Sequence, residues 1–208
     1  YINGKTYMLS NTQLDLISST NNSELKSNIE MQDNTKINID TSSDLAIKSS
    51  ISSDDNTSTI IKTGNSTLTV DGVNNGDLSL FLGNMIINEG TVISEVSKYI
   101  QGDTTVNNNA TLNILSQDAQ INKNVDLQNT GRFLITATGD VELTGQLVGV
   151  DTSILEKSGV GSLELKNNLS NFDGDIKISE GKLIADTSNY KANHTTVKNG
   201  STFEVLQT

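Results

Sequence analysis

Apolar residues recur along this chain in short alternating runs set between turn formers, most clearly from Leu155 to Asp186. That stretch opens on the turn Lys157-Ser158-Gly159-Val160-Gly161. Three runs follow: Leu163-Glu164-Leu165, Ile176-Lys177-Ile178 and Leu183-Ile184-Ala185. Asn-Asn and Asp-Gly separate the first two, and Glu180-Gly181 separates the last two. A period of two between such punctuators predicts short strands, not helix. Side chains then alternate between two faces of each strand. The expected inward set is Leu163, Leu165, Ile176, Ile178, Leu183, Val197, Phe203 and Val205, with Leu68, Val70, Ile86, Val92, Val106, Leu112 and Ile114 earlier in the chain.

The pattern is duplicated. Ile29 to Ile39 aligns without a gap on Val125 to Ile135, and the match continues through Leu45/Val141, Ile47/Leu143 and Ile51/Leu147. Lys62-Thr63-Gly64 then meets Lys157-Ser158-Gly159. After a connection four residues longer in the first copy, Glu89-Gly90 meets Glu180-Gly181. From there Ser97/Ser188, Tyr99/Tyr190, Thr104/Thr195 and Leu115/Leu206 keep register. Copy one is expected over 11–108 and copy two over 109–205. Residues 1–10 read as the tail of a preceding copy, Asn3 to Leu9 matching Asn199 to Val205. A unit this long exceeds one solenoid coil of about 20–30 residues, so four coils of about 24 are expected in each copy. No single coil can bury its aliphatic side chains alone; stacking joins them into one column. The expectation is therefore an all-β chain forming one β-solenoid over 1–208, of about eight or nine coils, whose open ends are edges that neighbouring coils would cap.

The stretch around Leu163 resembles the passenger-associated repeat of bacterial autotransporters, whose pattern runs K-x-G-x-G-x-L-x-L and then N…F/Y-x-G-x-I-x-I-x-x-G-x-L. Lys157, Gly159, Gly161, Leu163, Leu165, Asn168, Phe172, Gly174, Ile176, Ile178, Gly181 and Leu183 fall on it. Copy one departs at Asn65 and Ser66, where the second glycine is missing, and in the longer connection 71–88. The resemblance implies a right-handed parallel β-helix, secreted by the type V route and displayed on or released from a Gram-negative cell surface.

Composition narrows the function classes. The chain is only 34% hydrophobic and 4% aromatic, which would suit disorder were the Val, Ile and Leu not so regularly placed. Proline is absent, as strands paired on both sides require. So is cysteine, which removes disulfides and thiolate metal sites and fits export as an unfolded strand. A net charge of −11, with scattered Lys and Arg, argues against nucleic acid and anionic membrane as partners. No run approaches the roughly 20 apolar residues of a membrane helix, so no membrane insertion by this segment is expected. The chain starts in mid-pattern without a signal peptide, so it is expected to be a fragment of something longer.

The candidate chemistry is sparse. His194 is the single histidine, and its counterpart is Asp103, so it is expected to be a surface turn residue. A catalytic triad or multi-histidine metal site is excluded by number. The acidic pairs Asp54-Asp55, Asp71…Asp77 and Asp173…Asp175 could serve sugar hydrolysis only if two carboxylates faced each other across a groove. Their Gly and Asn neighbours suit tight turns instead. A Ca²⁺ site would need only oxygen ligands, yet the G-G-x-G-x-D nonapeptide is absent. The polar stretch Ser49 to Thr59 is expected to be a loop leaving the solenoid, and its tip a solvated one, although such loops can also bind partners. Tyr99 and Tyr190 recur in register and are expected to pack under a connection rather than stack on a ligand. The triplets Asn65-Ser66-Thr67 and Asn199-Gly200-Ser201 are expected by chance, and Asn-rich turns could form ladders between coils.

These readings assign no catalytic, cofactor-binding or metal-ligating residue, expect no cofactor and no enzyme activity, and leave ligand-binding residues open. With the resemblance, they give a passenger segment for adhesion to host cells or bacterial self-association, or a rigid stalk presenting such a site. Its partner would be a host-cell surface protein or glycan, or a sister passenger. The alternatives are the scaffold of a secreted toxin or protease and a carbohydrate-active β-helix enzyme.

Overall fold

The computed structural model describes residues 5–20, 23–166, 169–186 and 190–206. Strands make up 53% of it and helix 3%, in parallel stacked coils of a β-solenoid that counts about nine turns. Contacts divide the chain into two compact units, Tyr1–Thr104 and Thr105–Thr208. Asn3, Gly4, Asn168 and Ser188, used in the repeat alignment or the family pattern, lie outside the described residues.

In the first unit three sheets run side by side along the stack; three coils give one strand to each, and the fourth, with the connection 71–83, gives strands to two of them. One sheet holds Lys5–Met8, Asn28–Met31 and Ile51–Ser53. The second holds Gln13–Ser18, Lys36–Thr41, Thr59–Thr63 and Asn84–Ile87. The third holds Ser23–Leu25, Leu45–Ile47, Thr67–Val70 and Thr91–Glu95. The strands pair in parallel, and equal positions meet one coil on: Ile37 with Ile60, Leu45 with Leu68, Ile29 with Ile51. That spacing is why alternation in sequence becomes columns in space. Ile37, Ile60 and Met85 stack in one fully buried column, and Leu45, Leu68 and Val92 in a second buried one. Each buried aliphatic side chain contributes roughly 1.5–3 kcal/mol when taken out of water.

The second unit repeats the scheme. Thr111–Ser116, Arg132–Ala137, Ile154–Ser158, Asp175–Ile178 and Thr195–Val197 form one sheet. Ala119–Ile121, Asp140–Leu143, Ser162–Leu165, Lys182–Asp186 and Thr202–Leu206 form another, and Val125–Leu127 pairs with Leu147–Gly149. The columns Leu112–Phe133–Leu155–Ile176 and Val141–Leu163–Leu183 are buried throughout.

Four inward expectations fail, for two reasons. Ile86 points out, and its neighbours Met85 and Ile87 fill the core; an unbroken apolar run carries no phase, so the slip is invisible in sequence. Val197 and Val205 are each 43% exposed and Phe203 is half-buried, because their strands end their sheets and have a coil on one side only. The remaining expected inward residues, Leu163 and Leu112 among them, are buried.

The stretch Ser49 to Thr59 is not a loop leaving the solenoid. It is about half of a coil: Ile51–Ser53 is a strand, and Ser49, Ile51, Ser53 and Ser58 are buried. Its hydroxyls are satisfied by carbonyls, Ser49 Oγ on Leu25 at 3.2 Å, Ser53 Oγ on Asp55 at 2.9 Å and Ser58 Oγ on Gln32 at 2.9 Å. Small hydroxyl side chains therefore enter the interior without an unpaired group. Only Asp54 to Thr57 stands at the surface. Asparagine does mark the turns: Asn34 and Asn129 take φ of 55° and 48°, a left-handed conformation that asparagine tolerates. Threonine ties such turns across coils, Thr57 Oγ1 accepting from Asn34 N at 2.8 Å and Thr130 Oγ1 accepting from Asn109 N, whose own φ is 59°, at 2.9 Å.

Candidate functional site

The strongest polar feature is a lysine inside each unit's core. Lys62 stands between Ile39 and Ile87 in one column, and Lys157 between Ile135 and Ile178 in the other; all six side chains are fully buried. Lys62 Nζ donates to the carbonyls of Thr63, Gly64 and Glu89 at 3.0, 2.6 and 2.9 Å. Lys157 Nζ donates to those of Ser158, Gly159 and Glu180 at 2.8, 2.6 and 3.1 Å. An ammonium has three N–H donors, so each cradle saturates it. The cradle is built by the pattern K-x-G…E-G. Gly64 and Gly159 both turn at φ 78°, which turns their carbonyls back on the amine. Gly90 and Gly181 leave room at the far side, where a Cβ would stand 2.8 and 2.9 Å from the two Nζ atoms. Burial pushes both amines down to about 8, against the pull of Glu89 and Asp40 on Lys62 and of Glu180 on Lys157. They are still ammonium at neutral pH, and with no path to solvent they act on the fold, not on a substrate.

A second buried charge is held from outside the sheet. Glu156 accepts from Arg132 Nη2 at 2.5 Å and Ser179 Oγ at 2.5 Å, with Lys177 Nζ at 3.5 Å. Burial raises its pKa, but Ser179, Arg132 and Lys177 together outweigh this and hold it below its ordinary 4.5. Its stabilising contribution is thus present above the unfolded value and is lost as pH falls through the lower folded one. Between about pH 6 and about pH 3 the parent is expected to lose more of its melting temperature than Glu156→Gln does; parallel loss in both would contradict this.

Three carboxylates meet on the first unit. Asp33, Asp54 and Asp55 bring oxygen atoms within 4.8 Å of one another. Sequence showed the pair but not Asp33, which arrives from the preceding coil. Asp55 Oδ1 accepts from Thr57 N and Oγ1 and from Ser58 N, while its buried Oδ2 has no hydrogen-bond partner. The neighbouring carboxylates, Asp55 foremost and then Asp54, raise the pKa of Asp33. Among the described residues none of the three is paired with Lys or Arg.

Beside Asp54 lies an open groove of about 580 Å³ over the outer face of Lys5–Met8, Asn28–Met31 and Ile51–Ser53. Tyr7, Glu30 and Ser52 are register partners across its floor. Leu80 and Leu82 wall it from the longer connection, tied down by Ser53 N donating to Leu80 O and Leu82 N donating to Ser53 Oγ. Tyr7 is 65% exposed, Leu80 67% and Leu82 43%. Lys5 neutralises Glu30 and holds its amine 5.0 Å from the Tyr7 ring centre. No sequence motif signals this groove, since its residues come from three coils and a connection.

The other candidates find local partners. His194 is exposed, with Nδ1 3.1 Å from Asp175 Oδ1, and its backbone carbonyl accepts from Ile176 N as that of Asp103 does from Met85 N. The equivalence is thus one of backbone, which is why histidine and aspartate interchange. Asp71 caps the 3₁₀ turn Gly72–Asn74, and Asp77 accepts from Ser79 N while pairing with Lys98 at 3.0 Å. Asp173 pairs with Lys191 at 2.7 Å. Tyr99 is buried, with its hydroxyl 2.8 Å from Thr104 Oγ1; Tyr190 bonds Thr195 in the same way.

The fold and these contacts define a β-solenoid with internally clamped coils and an open groove on its first unit. No family model matches the chain, and neither a curated protein nor a solved structure matches it.

Proposed function

We propose that the chain is part of an autotransporter passenger that acts at the bacterial surface, in adhesion to host cells or to sister bacteria, or as the stalk carrying such a site. One observation carries the reading. The residues on which the sequence resembles passenger repeats, Lys157, Gly159 and Gly181, are those that build the lysine cradle, and Lys62, Gly64 and Gly90 repeat it in the other copy. The residues that carry the resemblance thus clamp one coil to the next in this chain. Parallel coils that each rest on the one before suit extension from a surface. Asp55 and Asp71 bond to turns, and Asp77 and Asp173 pair with lysines, which supports a binding or supporting role over a hydrolytic one.

Deleting this segment from the parent protein is expected to reduce attachment of the displaying cells to epithelial monolayers, or their clumping in suspension. Loss of both with normal display supports the adhesive role. Unchanged attachment and clumping would leave the stalk.

A further inference from the structure

The two copies give an internal control on the groove. Leu78-Ser79-Leu80-Phe81-Leu82-Gly83 corresponds to Leu169-Ser170-Asn171-Phe172-Asp173-Gly174. The residues that build the connection are kept: Leu78 and Leu169 are buried, as are Phe81 and Phe172, and each phenylalanine N–H donates to the leucine carbonyl at 2.9 Å. Gly83 and Gly174 lie against the backbone of Ser58 and Ser153, where a Cβ would not fit. The two outward positions differ, Leu80 and Leu82 standing where the second copy has exposed Asn171 and Asp173. The connection therefore folds without the leucines, and their exposure calls for another explanation. They do not stand singly, as scattered surface leucines do, but face Tyr7 across one groove.

We propose that this groove docks a protein partner through an extended segment in which a basic side chain alternates with apolar ones. The apolar side chains lie between Tyr7 and the pair Leu80 and Leu82, and the basic one reaches Asp54. Two leucines suit aliphatic side chains better than sugar rings, which stack on aromatic faces. The charge fits as well: Lys5 already neutralises Glu30, whereas Asp54 stands with Asp33 and Asp55 and no cation, so a lysine or arginine there relieves repulsion among three carboxylates. This deepens the adhesive reading and rests on it for its biological meaning, though not for the binding itself.

The test uses the purified chain and a fluorescein-labelled, end-blocked hexapeptide of alternating lysine and leucine, read by anisotropy. Binding is expected, and about tenfold weakening in Leu80→Asn/Leu82→Asp, which carries the residues of the second copy and keeps its melting temperature. Attachment by charge alone would instead tighten with the added carboxylate. Asp54→Asn is expected to weaken binding and Asp173→Asn, an equal change of charge elsewhere, to leave it unchanged. The proposal is overturned by no binding at millimolar peptide, by equal binding of a lysine–serine peptide, by unchanged or tighter binding to the leucine variant, or by a groove that takes chitohexaose in preference to the peptide. Peptide binding with no change in cell attachment on deleting the segment would retire the adhesive role and leave the groove. Loss of attachment without peptide binding would do the reverse.

Discussion

The Leu163→Asp variant is expected to lose the cooperative melting of its coils, while Lys166→Asp, three residues on, melts close to the parent. Leu163 is fully buried between Val141 and Leu183 in the column it shares with them. Truncating such a leucine costs about 2–5 kcal/mol, and a carboxylate buried without a partner adds several more. The sum rivals a typical domain stability of about 5–15 kcal/mol. Because every coil in the column rests on its neighbours, the damage spreads beyond one strand. Lys166 instead stands outside, paired with Glu164 at 2.6 Å across solvent, and such pairs contribute little. Equal midpoints in side-by-side thermal melts would refute the inward assignment.

Lys157→Met, and separately Lys62→Met, is expected to destabilise its own unit although methionine is more apolar than lysine. The change leaves three carbonyls aimed at a methyl group where water does not reach, and each unpaired group costs about 1–3 kcal/mol. Methionine packing against Ile135 and Ile178 returns part of this, for a net loss of about 2–4 kcal/mol in denaturant titrations. A gain in stability would show that the ammonium is a burden the fold merely tolerates. The pH dependence has a definite sign. With the folded amine at about 8 and its ordinary value at 10.5, the unfolded chain binds the extra proton between them, so this group makes stability rise with pH across that window. The double methionine variant should lack that rise.

The strand pattern was legible wherever apolar and polar residues alternate strictly, as at Leu163-Glu164-Leu165, because period two is itself the geometry of a strand. It failed at Met85-Ile86-Ile87, where three apolar residues in a row hide the phase, and at Val197 and Val205, where phase is right but no coil covers them. The cradle was half visible. Lys62 and Lys157 marked the repeat, but nothing in the sequence signalled that they enter the core, because what makes a buried ammonium tolerable is a set of backbone carbonyls that only the fold brings together. The burial of the serines from Ser49 on was hidden likewise, since polarity alone does not say whether a hydroxyl has a carbonyl to bond. The groove and the third carboxylate were not legible at all. Asp33 and Asp54, or Tyr7 and Leu80, become neighbours only once coil length is fixed, and no local signal fixes that.

The central claim is that equal positions in successive coils stack in parallel register. It is tested most directly by inter-strand nuclear Overhauser contacts in the uniformly labelled chain. Parallel pairing predicts backbone contacts linking Leu163 to both Val141 and Leu183, and Leu155 to both Phe133 and Ile176. Close Hα–Hα pairs between sequential strands, the mark of antiparallel hairpins, would contradict it.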